Sequence, residues 1–162
     1  MRRLEAVLAG ICGLLLASAA SPAFGATATS VSMTFAEPIQ PGIVSGCPVT
    51  PQQGLCGSGQ VIPFGHATEA VRFGAACGGD CDLRTIVLPT GTLITNEFFS
   101  NFNCPSGKCQ RPGRGQPASG TVHDVVVGGT GIFANASGTL DGSVHAAGTA
   151  GVAHLSGELS LG

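Results

Sequence analysis

The sequence predicts an all-β fold, a small closed antiparallel β-barrel of about eight strands with two disulfide-stapled loops, with a β-sandwich as the alternative. Three observations point there. Several short runs alternate apolar and polar residues with period two, the mark of strands with one buried face. No stretch keeps an apolar 3.6-residue period free of glycine for the roughly ten residues a stable helix needs, so crossover helices cannot link parallel strands and the sheet must be antiparallel. The 26 glycines among 162 residues, with 10% charged residues and no Trp or Tyr, disfavour coiled coils and disordered polyampholytes. Glycine at short intervals through the last third also supplies the bends a small sheet needs to close, and closure removes exposed edges.

The first strand is Ser30 to Phe35, where Val31, Met33 and Phe35 alternate with hydroxyl residues. Pro38 to Gly59 is rich in Pro, Gly and Gln and holds two cysteines, which reads as a long stapled loop. Alternation resumes from His66 to Phe73, with Ala67, Glu69, Val71 and Phe73 on one face. Leu83 to Leu88 and Thr92 to Phe99 are strands joined by the turn Pro89-Thr90-Gly91. Cys104 to Gly120 is a second stapled loop, and Val122 to Val127 is a β-branched strand. Ile132 to Leu140 and Ser143 to Thr149 flank Asp141-Gly142, a dipeptide favoured in two-residue hairpins, so a turn is predicted there. The last strand puts Ala153, Leu155, Leu159 and Leu161 on one face.

Arg2 and Arg3 precede an apolar run from Ala6 to Ala20 that ends in Ser21, Pro22 and Ala23-Phe24-Gly25, a secretory signal peptide over residues 1–25. The run is short for a bilayer span of about 20 residues, and no later segment is apolar for long enough. The mature chain is therefore expected to carry no membrane span and to be secreted or periplasmic. Cys12 follows Ile11 where a lipid anchor wants a small residue, which argues against lipidation. Removing 25 of 162 residues leaves 137, a single domain over 26–162 with five basic and eight acidic side chains and a formal charge of −3.

That charge excludes several function classes. A nucleic-acid binder needs a basic face, whereas the one basic cluster, Lys108, Arg111 and Arg114, lies in a Pro/Gly-rich loop. Without Trp or Tyr there are no ready stacking platforms for sugars or bases. Six mature cysteines fall in three local couples, so the expected bridges are Cys47–Cys56, Cys77–Cys81 and Cys104–Cys109, in an oxidising compartment. A zinc site from Cys77, Cys81, Cys104 and Cys109 is the alternative, but it lacks the tight two-residue knuckle, and no metal or other cofactor is expected. The G-x-G-x-x-A pattern from Gly129 to Ala134 copies a dinucleotide-binding turn, yet no helix follows it. No G-x-S-x-G elbow or phosphate loop is present.

The segment Gly128-Gly129-Thr130-Gly131-Ile132-Phe133-Ala134-Asn135-Ala136-Ser137-Gly138 resembles the GGTG-x-F/Y-x-x-A-x-G signature of the allene oxide cyclase and dirigent barrel superfamily. Leu88-Pro89-Thr90-Gly91-Thr92-Leu93 is similar to the strand–turn–strand step of its bacterial secreted members, so the resemblance covers Gly65 to Val144. It implies an eight-stranded antiparallel barrel, often a homotrimer, whose plant members guide cyclisation or radical coupling of hydrophobic small molecules. Gly128, Gly129, Thr130, Gly131, Phe133 and Gly138 would shape a turn and a strand there instead of doing chemistry. No catalytic acid or asparagine of the family maps onto this chain.

Alternation alone supplies candidate acids. Glu69 shares the face of Ala67, Val71 and Phe73, where a carboxylate is costly unless paired. It is a functional acid, a group bonded to backbone at the barrel mouth, or the mark of a face assigned the wrong way round. Glu97 and Asn96 lie on opposite faces of one strand, as do His123 and Asp124, and the apolar neighbours do not decide which points inward. His145 and His154 are expected to point outward. The sequence leads to an exported barrel that binds a hydrophobic small molecule or a protein partner without catalysis. The alternatives are a cyclase-like or dirigent-like isomerase acting in the cavity, and a structural secreted protein with no ligand.

Overall fold

The computed structural model describes residues 27–38, 47–50, 53–103 and 118–162. The predicted signal peptide, the basic cluster and the predicted Cys104–Cys109 bridge lie outside the described residues. Eight strands form a closed antiparallel barrel in chain order: β1 (Ala28–Pro38), β2 (Gly54–Ile62), β3 (Gly65–Ala76), β4 (Cys81–Leu88), β5 (Gly91–Asn103), β6 (Ala118–Gly129), β7 (Ser137–Ala147) and β8 (Ala150–Ser160). The ring closes where β8 pairs with β1, from Ala28 opposite Ser160 to Pro38 opposite Ala150. Among the described residues there are two disulfides, Cys47–Cys56 and Cys77–Cys81. The first ties Cys47 to the outer face of β2, and the second closes the β3–β4 connection. Among the described residues no helix is long and apolar enough to cross a membrane.

Three assignments of strand and turn are corrected. Gly54–Ile62 is β2, although its composition reads as loop. Two of its inward positions have no room for a side chain: a Cβ at Gly59 would stand 1.9 Å from the Thr34 carbonyl oxygen, and one at Gly57 would stand 2.6 Å from Glu69 Oε1. Glycine is there for close approach, so the alternation that marks a strand is erased. Asp141-Gly142 is mid-strand in β7, with Asp141 opposite both His123 and Ser156. The turn comes later, at Gly148-Thr149, where Gly148 has φ +61°. Asp-Gly favours a hairpin only where the strand can end, and here a Cβ at Gly142 would stand 1.9 Å from the His154 carbonyl oxygen, so close strand contact explains the glycine. Ile132 and Phe133 likewise leave the predicted strand for a short 3-10 turn, Gly131–Phe133.

The interior has two halves. One is apolar, with Met33, Phe35, Ile86, Leu93, Leu140 and Leu159 fully buried. It is closed by Phe133, which meets Phe64 edge to face with ring centroids 5.1 Å apart. The glycine-rich motif positions this plug. Thr130 N–H donates to the Thr92 carbonyl (2.8 Å), Thr92 N–H donates to Thr130 Oγ1 (3.1 Å), and Ile132 N–H donates to the Thr90 carbonyl (3.2 Å). The β6–β7 connection is thus laced to the β4–β5 turn. Gly131 adopts φ +61°, and a Cβ there would stand 2.2 Å from the Thr90 carbonyl oxygen.

Gly131→Val is therefore expected to cost at least ~1 kcal/mol through backbone strain, plus the clash with Thr90. Gly148→Ala provides the control, since Gly148 has the same φ but open space around it. Denaturant melts of the two variants should rank Gly131→Val well below Gly148→Ala; equal losses would show that the lacing at Thr90 contributes nothing.

Candidate functional site

The other half of the bore is ionic. Each of five strands carries a charged residue on its inward face beside an apolar or hydroxyl one: Phe35 then Glu37 on β1, Ala67 then Glu69 on β3, Ile86 then Arg84 on β4, Thr95 then Glu97 on β5, and Val126 then Asp124 on β6. Two of the remaining strands contribute glycine beside two of these acids, with Gly57 of β2 opposite Glu69 and Gly151 of β8 opposite Glu37. The period-two pattern that buries the apolar residues therefore also delivers four carboxylates and one guanidinium to a common level.

Arg84, 0% exposed, is the hub. Its Nη1 donates to Glu69 Oε2 and its Nη2 to Glu97 Oε2, while its Nε donates to the same Glu97 oxygen at 2.9 Å. Asp124 Oδ2 lies 3.3 Å from Nε and Glu37 Oε1 lies 3.5 Å from Nη1. Asp124 Oδ2 also accepts from Thr95 Oγ1 at 2.8 Å. The second oxygens, Glu69 Oε1, Glu97 Oε1 and Asp124 Oδ1, are buried without a hydrogen-bond partner.

Four acids cannot all ionise around one cation in a dry bore. Burial raises the Glu69 carboxyl well above the usual carboxylate range, with Arg84 opposing and Glu37 adding to the rise through its charge and a hydrogen bond. Burial likewise pushes Glu97 up to about 8, against the pull of Arg84 and with the repulsion of Asp124. Asp124 is raised too, again by burial, while Arg84 and Thr95 hold it down. Burial around a single cation thus favours protonated carboxyl groups in the cluster, Glu97 among them at neutral pH.

The structure decides which face each of these residues takes. Glu69 points inward and its partner is a side chain, Arg84, not backbone. Glu97 is inward, and Asn96 is half-buried on the outer wall. Asp124 is inward, and His123 is outward, with Nδ1 2.7 Å from Asp141 Oδ1. His145 and His154 are exposed, and His154 Nδ1 lies 3.1 Å from Thr34 Oγ1. Sequence reasoning missed Arg84 and Glu37. For Glu37 the signal existed, since it continues the run Val31, Met33, Phe35 by one step. For Arg84 it did not, because β4 has apolar residues on both faces, Ile86 and Leu88 on one and Leu83 and Val87 on the other.

Two cavities lie on the outer wall. The larger, about 500 Å³, is lined by the outward residues Thr68, Ala70 and Arg72 of β3 and Leu83, Thr85 and Val87 of β4, and is walled by Pro48 and the Cys47–Cys56 bridge. The second, about 470 Å³, runs past His145, Ala147 and Val152. Among the described residues no group of three or more His, Cys, Asp or Glu is arranged to hold a metal ion. No family model, no curated protein and no solved structure matches the chain.

Two outcomes follow from the cluster. Arg84→Met leaves four buried acids without a counter-charge and is expected to cost ~3–5 kcal/mol in chemical denaturation. The folded-state pKa values of Glu69, Glu97 and Asp124 lie above their unfolded values, so the stability they permit is complete below the unfolded range and is lost as pH rises, for Glu97 through about 8. Melting temperature should fall between about pH 5 and pH 9, and Glu97→Gln should flatten that slope; a level profile in the parent protein would contradict the shared protonation.

Proposed function

We propose that the chain is an exported, non-catalytic barrel that binds a hydrophobic small molecule on its outer wall. The observation that carries this reading is the groove of about 500 Å³ between β3, β4 and the Cys47–Cys56 bridge. Its volume lies within the ~300–1,000 Å³ of small-molecule sites, and its floor of Ala70, Leu83 and Val87 with the Thr68 and Thr85 side chains is largely apolar. The bore offers a ligand less. Its apolar half is filled by side chains, and the donors of Arg84 are already turned onto carboxylates. Disulfides suit an oxidising compartment outside the cytoplasm, which agrees with a signal peptide at residues 1–25. Val87, Val127 and Phe98 are also exposed on the outer wall and suit contact with a protein, a second copy of this chain included.

A second reading, an isomerase of the cyclase or dirigent type, draws on the motif at Gly128–Gly138 and on the convergence of Glu69, Glu97 and Asp124. A Glu97 carboxyl raised to about 8 could exchange a proton near neutral pH. Its burial, at 1% exposure, stands against contact with substrate.

A thermal-shift series against lipophilic probes separates these readings. Binding is expected to raise Tm with dose, by ~2.7 kcal/mol of stabilisation at a hundredfold excess over Kd, and Thr85→Trp, which fills the groove, should abolish the shift. No shift with any probe would favour a purely structural role. Turnover of an epoxide or phenoxy-radical substrate that is lost in Glu97→Gln would establish the isomerase.

A further inference from the structure

The groove has a polarity along its length. Three cross-strand pairs floor it, Thr68 with Val87, Ala70 with Thr85, and Arg72 with Leu83. Successive pairs are two residues apart along each strand, so the Val87 level and the Arg72 level are separated by about 13 Å. The far pair carries no charge and is exposed at Val87. The near pair carries the guanidinium of Arg72, a permanent cation that forms no salt bridge among the described residues. Glu69 also borders the groove, but its carboxylate is turned into the bore and held by Arg84. The charge presented to a ligand in the groove is therefore positive, at one end.

We propose that the groove takes an amphiphile with a carboxylate head and an alkyl tail, a fatty-acid-like molecule, with its carboxylate on Arg72 and its tail laid over Ala70, Leu83 and Val87. This inference rests on ligand binding at the outer groove. A guanidinium presents a planar fork that matches a carboxylate in two parallel hydrogen bonds, which a lysine or a histidine cannot supply. The chain as a whole carries −2, yet screening over about 8 Å at physiological salt lets the nearby cation outweigh distant acids. The tail supplies affinity by apolar burial, and the head sets direction and selectivity.

Calorimetric titration of the folded protein with dodecanoate and with dodecanol tests this. Dodecanoate is expected to bind about tenfold more tightly than dodecanol, the worth of one charge-assisted contact. Arg72→Gln, at an exposed position, should bring the acid down to the level of the alcohol and leave the alcohol unchanged. Thr85→Trp should block both. Equal affinities in the parent protein, tighter binding of the alcohol, or an acid affinity untouched by Arg72→Gln would overturn the carboxylate assignment while leaving ligand binding in place. Failure of both molecules to bind would overturn the assignment and the groove reading together.

Discussion

The structure depends on one guanidinium. Among the described residues Arg84 is the only buried cation, and it stands among four carboxylates from four other strands. Isolated, any of these charges would be expelled from the bore; together they are held in a place where water cannot solvate them. The arrangement joins β4 to β1, β3, β5 and β6 at a single point. It also fixes register, since sliding any of those strands by one residue would carry its charge to the outer face and an outer residue into the cluster.

The glycines answer to the same constraint. An eight-stranded bore is just wide enough for side chains to fill. Five charged side chains already occupy one level, and on β2 and β8 the residues opposite Glu69 and Glu37 are Gly57 and Gly151. At Gly57 a Cβ would meet both Glu69 and the Ala36 carbonyl oxygen. Elsewhere, as at Gly142, the close neighbour is backbone. Inner packing and outer chemistry are thereby separated. The bore is committed to its own charges, and the surfaces left for other molecules lie on the outside, where the Cys47–Cys56 bridge builds one wall of a groove.

Much of the fold was legible because period two is a local property. The alternations at Val31–Phe35, Ala67–Val71 and Ala153–Leu155 each name a strand and its buried face without knowledge of any neighbour. What was not legible depended on neighbours. Gly54–Ile62 looked like loop because its inner residues are shaped by contacts with β1 and Glu69, and Asp141-Gly142 looked like a turn because the close approach of β8 cannot be read from a dipeptide. The inward direction of Glu69 followed from its strand, but that of Glu97 did not, since Ile94, Asn96 and Phe98 offer a second face with two apolar residues of its own. The partner of both acids was hidden for the same reason. The family resemblance at Gly128–Gly138 concerns the opposite end of the barrel, where those residues carry the Phe133 plug, and it is silent on the ionic half.

The order of strands has a kinetic side. Seven of the eight pairings join strands that are consecutive in the chain, so each can form by extending a hairpin already made. The seam between β1 and β8 joins the residues farthest apart in sequence, such as Val31 and Gly157. Closing a loop costs entropy that grows slowly with its length, and by the time β8 forms, the intervening meander has already brought the two ends near. The seam is therefore the step that turns a curled ribbon into a ring. A ring left open at that seam would present β1 and β8 as free edges for pairing with another chain, so closure is also what removes this barrel's edges.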